Sequence, residues 1–210
     1  MSADSMMLKG GVNVLSQVED IERRLAIVEK RAAGIPGVAS LVLTLLSDTK
    51  LTAATASFDI VSINQSYKHL LLIGNLRGDT ASTNAVNQFR FNGITSANYY
   101  SQYHAGAAAT ASAGESIGAT SAVTGLCTAN TAPANMMGKL MILIPDYTEP
   151  TRLPGGLFWI HAAIATTTGN VLVRSGGFSL NVAGAVTQIT LFPSAGNYNT
   201  DSRLTLYGIG

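Results

Sequence analysis

The sequence predicts a mainly β protein, in which an antiparallel, jelly-roll-like β-sandwich follows a short N-terminal α-helix that forms a trimeric coiled coil. Three observations lead to this prediction: a heptad pattern near the N-terminus, alternating strand patterns from Val38 onward, and glycine-rich turns between the strands. We therefore expect an attachment segment with a trimerisation helix at residues 1–36 and a β-sandwich domain at residues 37–210.

The helix is predicted by apolar residues that recur every three or four positions within residues 12–33. This spacing is typical of the seam of a coiled coil, and the branched and leucine residues at its positions favour more than two helices. The residues of the seam are Val14, Val18, Ile21, Leu25 and Val28. The sequence Gly34-Ile35-Pro36-Gly37 then ends the helix, because glycine is a good C-terminal cap and proline cannot continue it.

Two charged residues beside the seam favour three parallel helices. Arg24 falls at the g position and faces Glu29 at the e position of a neighbouring helix. The stretch from Arg24 to Glu29 has the arginine, apolar and glutamate spacing of a recurrent trimer signature. The alternative is a single amphipathic helix that packs on its own β domain.

The β domain is predicted from short segments that alternate or are rich in apolar residues. The predicted strands are 41–46, 57–63, 69–76, 86–92, 99–104, 117–124, 139–144, 157–165, 171–174, 186–192 and 203–207. Turns are predicted between them at 77–80, 92–93, 168–170, 175–177 and 194–197. Apart from Glu115 and Ile117, residues 105–119 are Ala, Gly, Ser and Thr, and their composition fits either a mobile loop or a packed extended arm.

The composition excludes several classes of protein. Apolar residues make up 47% and charged residues 12% of the chain, against the ~25% charged that is usual, so the chain is not expected to be disordered. The net charge of +1 provides no field for nucleic acid. The longest apolar stretches, 140–144 and 157–165, are too short to insert in a membrane. The scarcity of charge instead favours burial between subunits.

Few residues could carry chemistry. His69, His104 and His161 are separated along the chain, and the single cysteine, Cys127, has no histidine near it in sequence. Asp146 and Glu149 are the only close carboxylate pair of the β region, and a solvated turn explains them better than a glycosidase does. We therefore expect no catalytic, cofactor-binding or metal-binding residues and no enzyme activity.

Three tyrosines near one predicted strand form the candidate contact surface. Tyr99, Tyr100 and Tyr103 are interleaved with polar residues, and such aromatic clusters can stack on sugar rings or anchor a protein interface. Packing in the core or between subunits is the alternative. The tripeptide Arg77-Gly78-Asp79 follows a predicted strand, where we expect a structural turn.

Several motifs of the β domain resemble those of one family. The segments 58–63 and 67–72, followed by Arg77-Gly78-Asp79, resemble the opening of β-sandwich domains in the structural proteins of tailed bacteriophages. Arg90-Phe91-Asn92-Gly93 and Asn98-Tyr99-Tyr100 are similar to that family's Arg-Phe-Asn-Gly-Asp and Asn-Tyr motif, with Ile94 where aspartate is common. The segment 202–209 resembles its closing strand.

The resemblance implies a non-enzymatic, homotrimeric structural protein of the virion, assembled in the host cytoplasm. A tail appendage, meaning a fibre tip or receptor-binding adhesin, is the first expectation. A capsid decoration protein or head fibre is the alternative, and a non-viral binding module or lectin is a further one. The expected partners are the chain itself, other virion proteins through the N-terminal segment, and host-surface carbohydrate or protein, with no nucleic acid and no membrane insertion.

Overall fold

The computed structural model of the chain describes residues 42–107, 109–163, 165–166 and 171–210. These residues are mainly β and form two antiparallel sheets in a sandwich-like fold, which confirms the predicted class at this level. The predicted coiled-coil helix, the rest of the 1–36 segment and the predicted turn at 168–170 lie outside the described residues.

The described part of the chain contains twelve strands. Their short length and β-branched or aromatic content are typical of sandwich strands. They are β1 (Leu43–Lys50), β2 (Phe58–Ile60), β3 (His69–Leu76), β4 (Asn84–Phe91), β5 (Tyr99–Ala107), β6 (Thr110–Ala119), β7 (Ala122–Thr128), β8 (Gly138–Ile144), β9 (Gly155–Ala163), β10 (Val171–Leu180), β11 (Ile189–Pro193) and β12 (Arg203–Ile209).

The strands are divided between a large and a small sheet. The large sheet has the order β1-β12-β3-β8-β9-β10-β5-β6, and the small sheet has the order β2-β11-β4-β7. One face of the large sheet packs on the small sheet, and we call its opposite face the outer face. Because side chains alternate between the two faces of a strand, every second residue of the large sheet lies on this outer face.

The core between the sheets is built from the buried members of the alternating strands. Phe89 of β4 is fully buried, and its ring lies 4.9 Å from that of Phe91 and 5.0 Å from that of Phe178. Since Phe178 belongs to β10 of the large sheet, these rings join the two layers. Leu70 and Leu72 of β3 are also fully buried, on the face of the large sheet that packs on the small sheet.

Most predicted strands are confirmed, and β3 matches its predicted range residue for residue. Two predictions are wrong. Ser175-Gly176-Gly177 is not a turn, because it lies inside β10. The predicted strand 117–124 is interrupted, because β6 ends at Ala119 and β7 begins at Ala122. Of the alternatives for residues 105–119, the structure has an extended arm: β5 and β6 pair there as a hairpin.

The turn at Asn92-Gly93 is confirmed, and its backbone explains the residue choice. Both residues have positive φ, 51° and 65°, a region that glycine and asparagine adopt most readily. The Asn92 Oδ1 atom also accepts hydrogen bonds from the backbone N–H groups of Thr187 at 2.9 Å and Gln188 at 3.1 Å. The asparagine thus fixes the turn to the segment that precedes β11.

Arg77 and Asp79 hold two loops of the fold. The Arg77 guanidinium donates hydrogen bonds to the backbone carbonyls of Pro133 at 3.0 Å and Met136 at 2.8 Å. The Asp79 carboxylate accepts from the backbone N–H of Asn197 at 2.8 Å and from its side-chain amide at 2.9 Å. The tripeptide that contains them therefore has a structural role within the fold.

The Asp79 contacts predict a pH-dependent contribution to stability. The hydrogen bonds from Asn197 hold the pKa of this carboxyl below its ordinary 3.8. Because the pKa is lower in the folded protein, the ionised carboxylate stabilises the fold at pH values above its ordinary pKa. That stabilisation is lost as the pH falls through the lowered pKa of the folded state. We expect Asp79→Asn to lower the free energy of unfolding by about 1–2 kcal/mol at pH 7. In urea titrations the difference from the parent chain should shrink towards pH 3.

The control for this prediction is Asp201→Asn. The Asp201 carboxylate is exposed and pairs with Lys50 at 2.8 Å on the surface, where ion pairs contribute little. We expect the free energy of unfolding of this variant to lie within about 0.5 kcal/mol of that of the parent chain at pH 7. An Asp79→Asn variant as stable as the parent at pH 7 would contradict the role given to Asp79.

Candidate functional site

The outer face of the large sheet carries a concave site along β10. Three successive outward residues of β10, Ser175, Gly177 and Ser179, are small, while the strands on either side carry larger side chains. The resulting depression has a volume of about 710 Å³. We call it the β10 trough. Its outward-facing walls are formed by Tyr100, Gln102, His104, Glu115 and Leu157.

One wall of the β10 trough carries polar side chains from the β5–β6 hairpin. Gln102 lies directly opposite Glu115 across the two strands, so an amide and a carboxylate stand side by side. On the next row the His104 Nε2 and Ser175 Oγ atoms share a hydrogen bond of 2.8 Å. The wall can therefore both donate hydrogen bonds to a ligand and accept them from it.

Tyr100 is the exposed aromatic residue of the trough. Its side chain lies on the outer face of β5 and is 38% exposed, whereas Ile117 stands opposite it on β6. An exposed ring at the end of a polar groove offers an apolar surface on which a flat ligand can stack. Of the three predicted contact tyrosines, Tyr100 is thus placed where a partner can reach it.

Tyr99 is a core residue, which corrects its predicted role as a surface contact. It is fully buried, and its hydroxyl accepts a hydrogen bond from the Phe91 N–H at 3.0 Å and lies 3.2 Å from the Ile94 carbonyl. Its burial raises the pKa of the phenol above the ordinary value. Tyr99 and Tyr100 are neighbours in one strand, so their side chains point to opposite faces.

Tyr103 lies on the face of β5 opposite to Tyr100 and is half-buried. Its neighbours on both adjacent strands are glycines, Gly114 of β6 and Gly176 of β10. The Arg174 guanidinium lies 3.9 Å from the centre of the Tyr103 ring, a cation–π contact that covers it. The structure therefore does not bring Tyr103 together with Tyr100 in one site.

An apolar patch adjoins the β10 trough on the outer face. It lies on three neighbouring strands, β3, β8 and β9, and consists of Leu71, Ile73, Met141, Leu143, Leu157 and Trp159. Trp159 is the single tryptophan of the chain and is 41% exposed. Apolar runs in which both alternating sets of residues are hydrophobic could have indicated this patch in the sequence.

Of the residues considered for chemistry, His69 and Asp146 lie together, whereas Cys127 is buried apart from them. Asp146 is paired with Arg152 at 3.1 Å, and its backbone N–H donates to His69 Nδ1 at 3.1 Å. Cys127 is buried, and burial raises the pKa of its thiol to about 11. Among the described residues, no group of three or more His, Cys, Asp or Glu side chains is arranged to hold a metal ion.

The predicted trimerisation residues lie outside the described residues. These residues are Val14, Val18, Ile21, Arg24, Leu25, Val28 and Glu29. Within the described ranges, no helix has the length and hydropathy needed to cross a membrane. Comparisons of the chain with protein-family models, curated proteins and solved structures found no match.

Proposed function

We propose that this chain is a non-enzymatic, homotrimeric structural protein of a bacteriophage virion and acts as a tail appendage that contacts the host surface. In this proposal the heptads between Val14 and Glu29 form the trimeric coiled coil, and the segment 1–36 attaches the trimer to other virion proteins. The β domain is then a jelly-roll-like sandwich that presents the β10 trough to the host. The family resemblance and the two-sheet fold support the assignment.

The observation that carries the host-contact role is the β10 trough. It is concave, and its side chains project from paired strands, which hold a binding constellation more firmly than loops do. Tyr100 supplies a stacking surface, and Gln102 and Glu115 supply neighbouring hydrogen-bonding groups. An aromatic face beside planar polar groups suits a carbohydrate, whose ring has an apolar face and a rim of hydroxyls.

Tyr100→Ala is expected to weaken host contact without weakening the fold. Because the ring projects from the outer face, its removal should leave the melting temperature close to that of the parent chain. Loss of this exposed aromatic contact should slow adsorption of phage particles at least about tenfold. Leu153→Ala, an exposed apolar residue outside the trough, is the control and should adsorb like the parent.

Labelling of intact virions tests the location. We expect gold particles directed against this chain to mark the tail. Label over the head would overturn the tail assignment and favour the capsid decoration or head fibre alternative, in which Tyr100→Ala leaves adsorption unchanged. Absence of label from purified virions would overturn the virion role itself.

A further inference from the structure

Three adjacent strands of the large sheet are apolar on both faces. On β3, Leu70 and Leu72 are buried in the core, while Leu71 and Ile73 point to the outer face. The strands β8 and β9 repeat this arrangement. Strands that are hydrophobic on both faces are characteristic of sheets that are covered on both sides. The small sheet covers one side, and the apolar patch marks the other.

The apolar patch has the layout of the centre of a protein interface. Leu71, Leu143 and Leu157 form one row, and Ile73, Met141 and Trp159 form the next. At ~4.8 Å per strand and ~6.7 Å per pair of residues, the patch measures roughly 14 Å by 13 Å. An apolar centre of this kind with a polar border is the usual anatomy of an interface.

Polar side chains border the apolar patch at one end. Asn75, Lys139 and His161 occupy the next row of the same three strands. The Lys139 ammonium donates a hydrogen bond of 2.7 Å to the Asn75 side-chain carbonyl. Asn75 and Lys139, which are hydrogen-bonded to each other, can stay hydrated at the margin while the leucine and tryptophan side chains lose their water.

The chain itself provides the reason to expect a second copy on the patch. The described part begins at Val42 and enters β1, an edge strand of the same sheet, where Leu43 and Leu45 are exposed and paired with β12. Residues 34–41 separate this strand from the predicted coiled-coil helix and can span at most ~28 Å. Three chains joined by that helix would hold their large sheets at a high effective concentration.

We propose that the apolar patch is the surface through which copies of this chain pack against one another around the axis of the homotrimer. The inference rests on the homotrimer of the proposed function and assigns the β-domain surface that stabilises it. Leu157 and Trp159 mark the border, because β10 follows β9 in the sheet. Leu157, which the patch shares with the β10 trough, would be covered, whereas the opposite wall of the trough on β5 and β6 would stay open to a ligand.

The single tryptophan makes the proposal directly testable in the full-length chain. Trp159 would be buried in the trimer, although it is 41% exposed in one chain. We expect a particle of three times 21.8 kDa by light scattering, with severalfold weaker acrylamide quenching of Trp159 than in a monomer. A trimer in which Trp159 is freely quenched would overturn the patch assignment and leave the homotrimer standing.

Met141→Glu should open this interface. The side chain is exposed in one chain, so the variant should fold, but three unpaired carboxylates would be buried in the assembled patch. We expect acrylamide quenching of Trp159 to rise to the level of a monomer. The protein concentration needed to form the trimer should rise at least about tenfold. Ile73→Lys tests the same patch from β3, and Val61→Glu, an exposed apolar residue elsewhere, is the matched control.

The outcomes separate this inference from the virion assignment. If Met141→Glu and Ile73→Lys leave both the trimer and the protection of Trp159 unchanged, the inference is overturned. Protection of Trp159 in a monomeric chain would also overturn it, because another part of the same chain would then cover the apolar patch. A protected trimer that virion labelling does not find on particles would overturn the proposed location and support the interface.

Discussion

Phe89→Ala is expected to lower the free energy of unfolding by about 3–5 kcal/mol. The Phe89 ring is fully buried and contacts Phe91 of its own strand and Phe178 of the large sheet. Its removal leaves a cavity at the junction of the two sheets, and the rigid strands on both sides can close it only partly. Urea unfolding monitored by far-ultraviolet circular dichroism would measure the loss.

Phe192→Ala is the matched control for the core variant. Phe192 belongs to β11, the strand that pairs with the strand of Phe89, but its ring is half-exposed and lies 4.5 Å beneath the Arg90 guanidinium. We expect the free energy of unfolding to fall by about 1 kcal/mol, because the variant loses the cation–π contact and the partly buried ring. Equal losses for the two variants would show that the aromatic cluster does not join the sheets.

The fold class could be predicted because the alternation of side chains is a local property. In β3 and β4 the buried residues recur at every second position, and the sequence shows this pattern without any knowledge of the neighbouring strands. The turn at Asn92-Gly93 was equally predictable, since both residues favour the left-handed backbone that the turn requires.

The hairpin arm and the middle of β10 could not be predicted for a physical reason. Residues 110–119 are mostly alanine, glycine and short polar residues, and they are extended because they pair with β5 and not because of their own propensity. Gly176 and Gly177 indicate a turn when they are considered alone. In the structure both lie inside β10, and Gly176 allows the backbone of Tyr103 on β5 to lie close to β10.

The candidate site was only partly accessible to sequence reasoning. Alternation shows that Tyr99 and Tyr103 share one face of a strand and Tyr100 the other, but it does not show which face is covered. The β10 trough depends on β9, β10 and β5 as neighbours, and β5 lies about seventy residues from its partner β10 along the chain. Pairing over that distance leaves no local signal in either strand.

Gly176→Ala is expected to destabilise the protein by about 3 kcal/mol. A Cβ atom at this position would lie 2.2 Å from the backbone oxygen of Gln102 and 2.8 Å from the Tyr103 Cα atom. Backbone atoms cannot turn aside as a side chain can, so β10 and β5 would have to separate. Because β5 and β6 join the rest of the large sheet through β10, this separation would loosen the polar wall of the β10 trough.

Gly177→Ala distinguishes this steric effect from a general cost of replacing glycine in β10. Its Cβ atom would point to the outer face and meet its nearest neighbours, Gly156 and Leu157, at 3.6 Å, which is ordinary contact. We expect the free energy of unfolding to lie within about 0.5 kcal/mol of that of the parent chain. The added methyl group makes the β10 trough shallower and should slow phage adsorption. Equal destabilisation by the two alanines would contradict the close approach of β5 at Gly176, since only one of them faces that backbone.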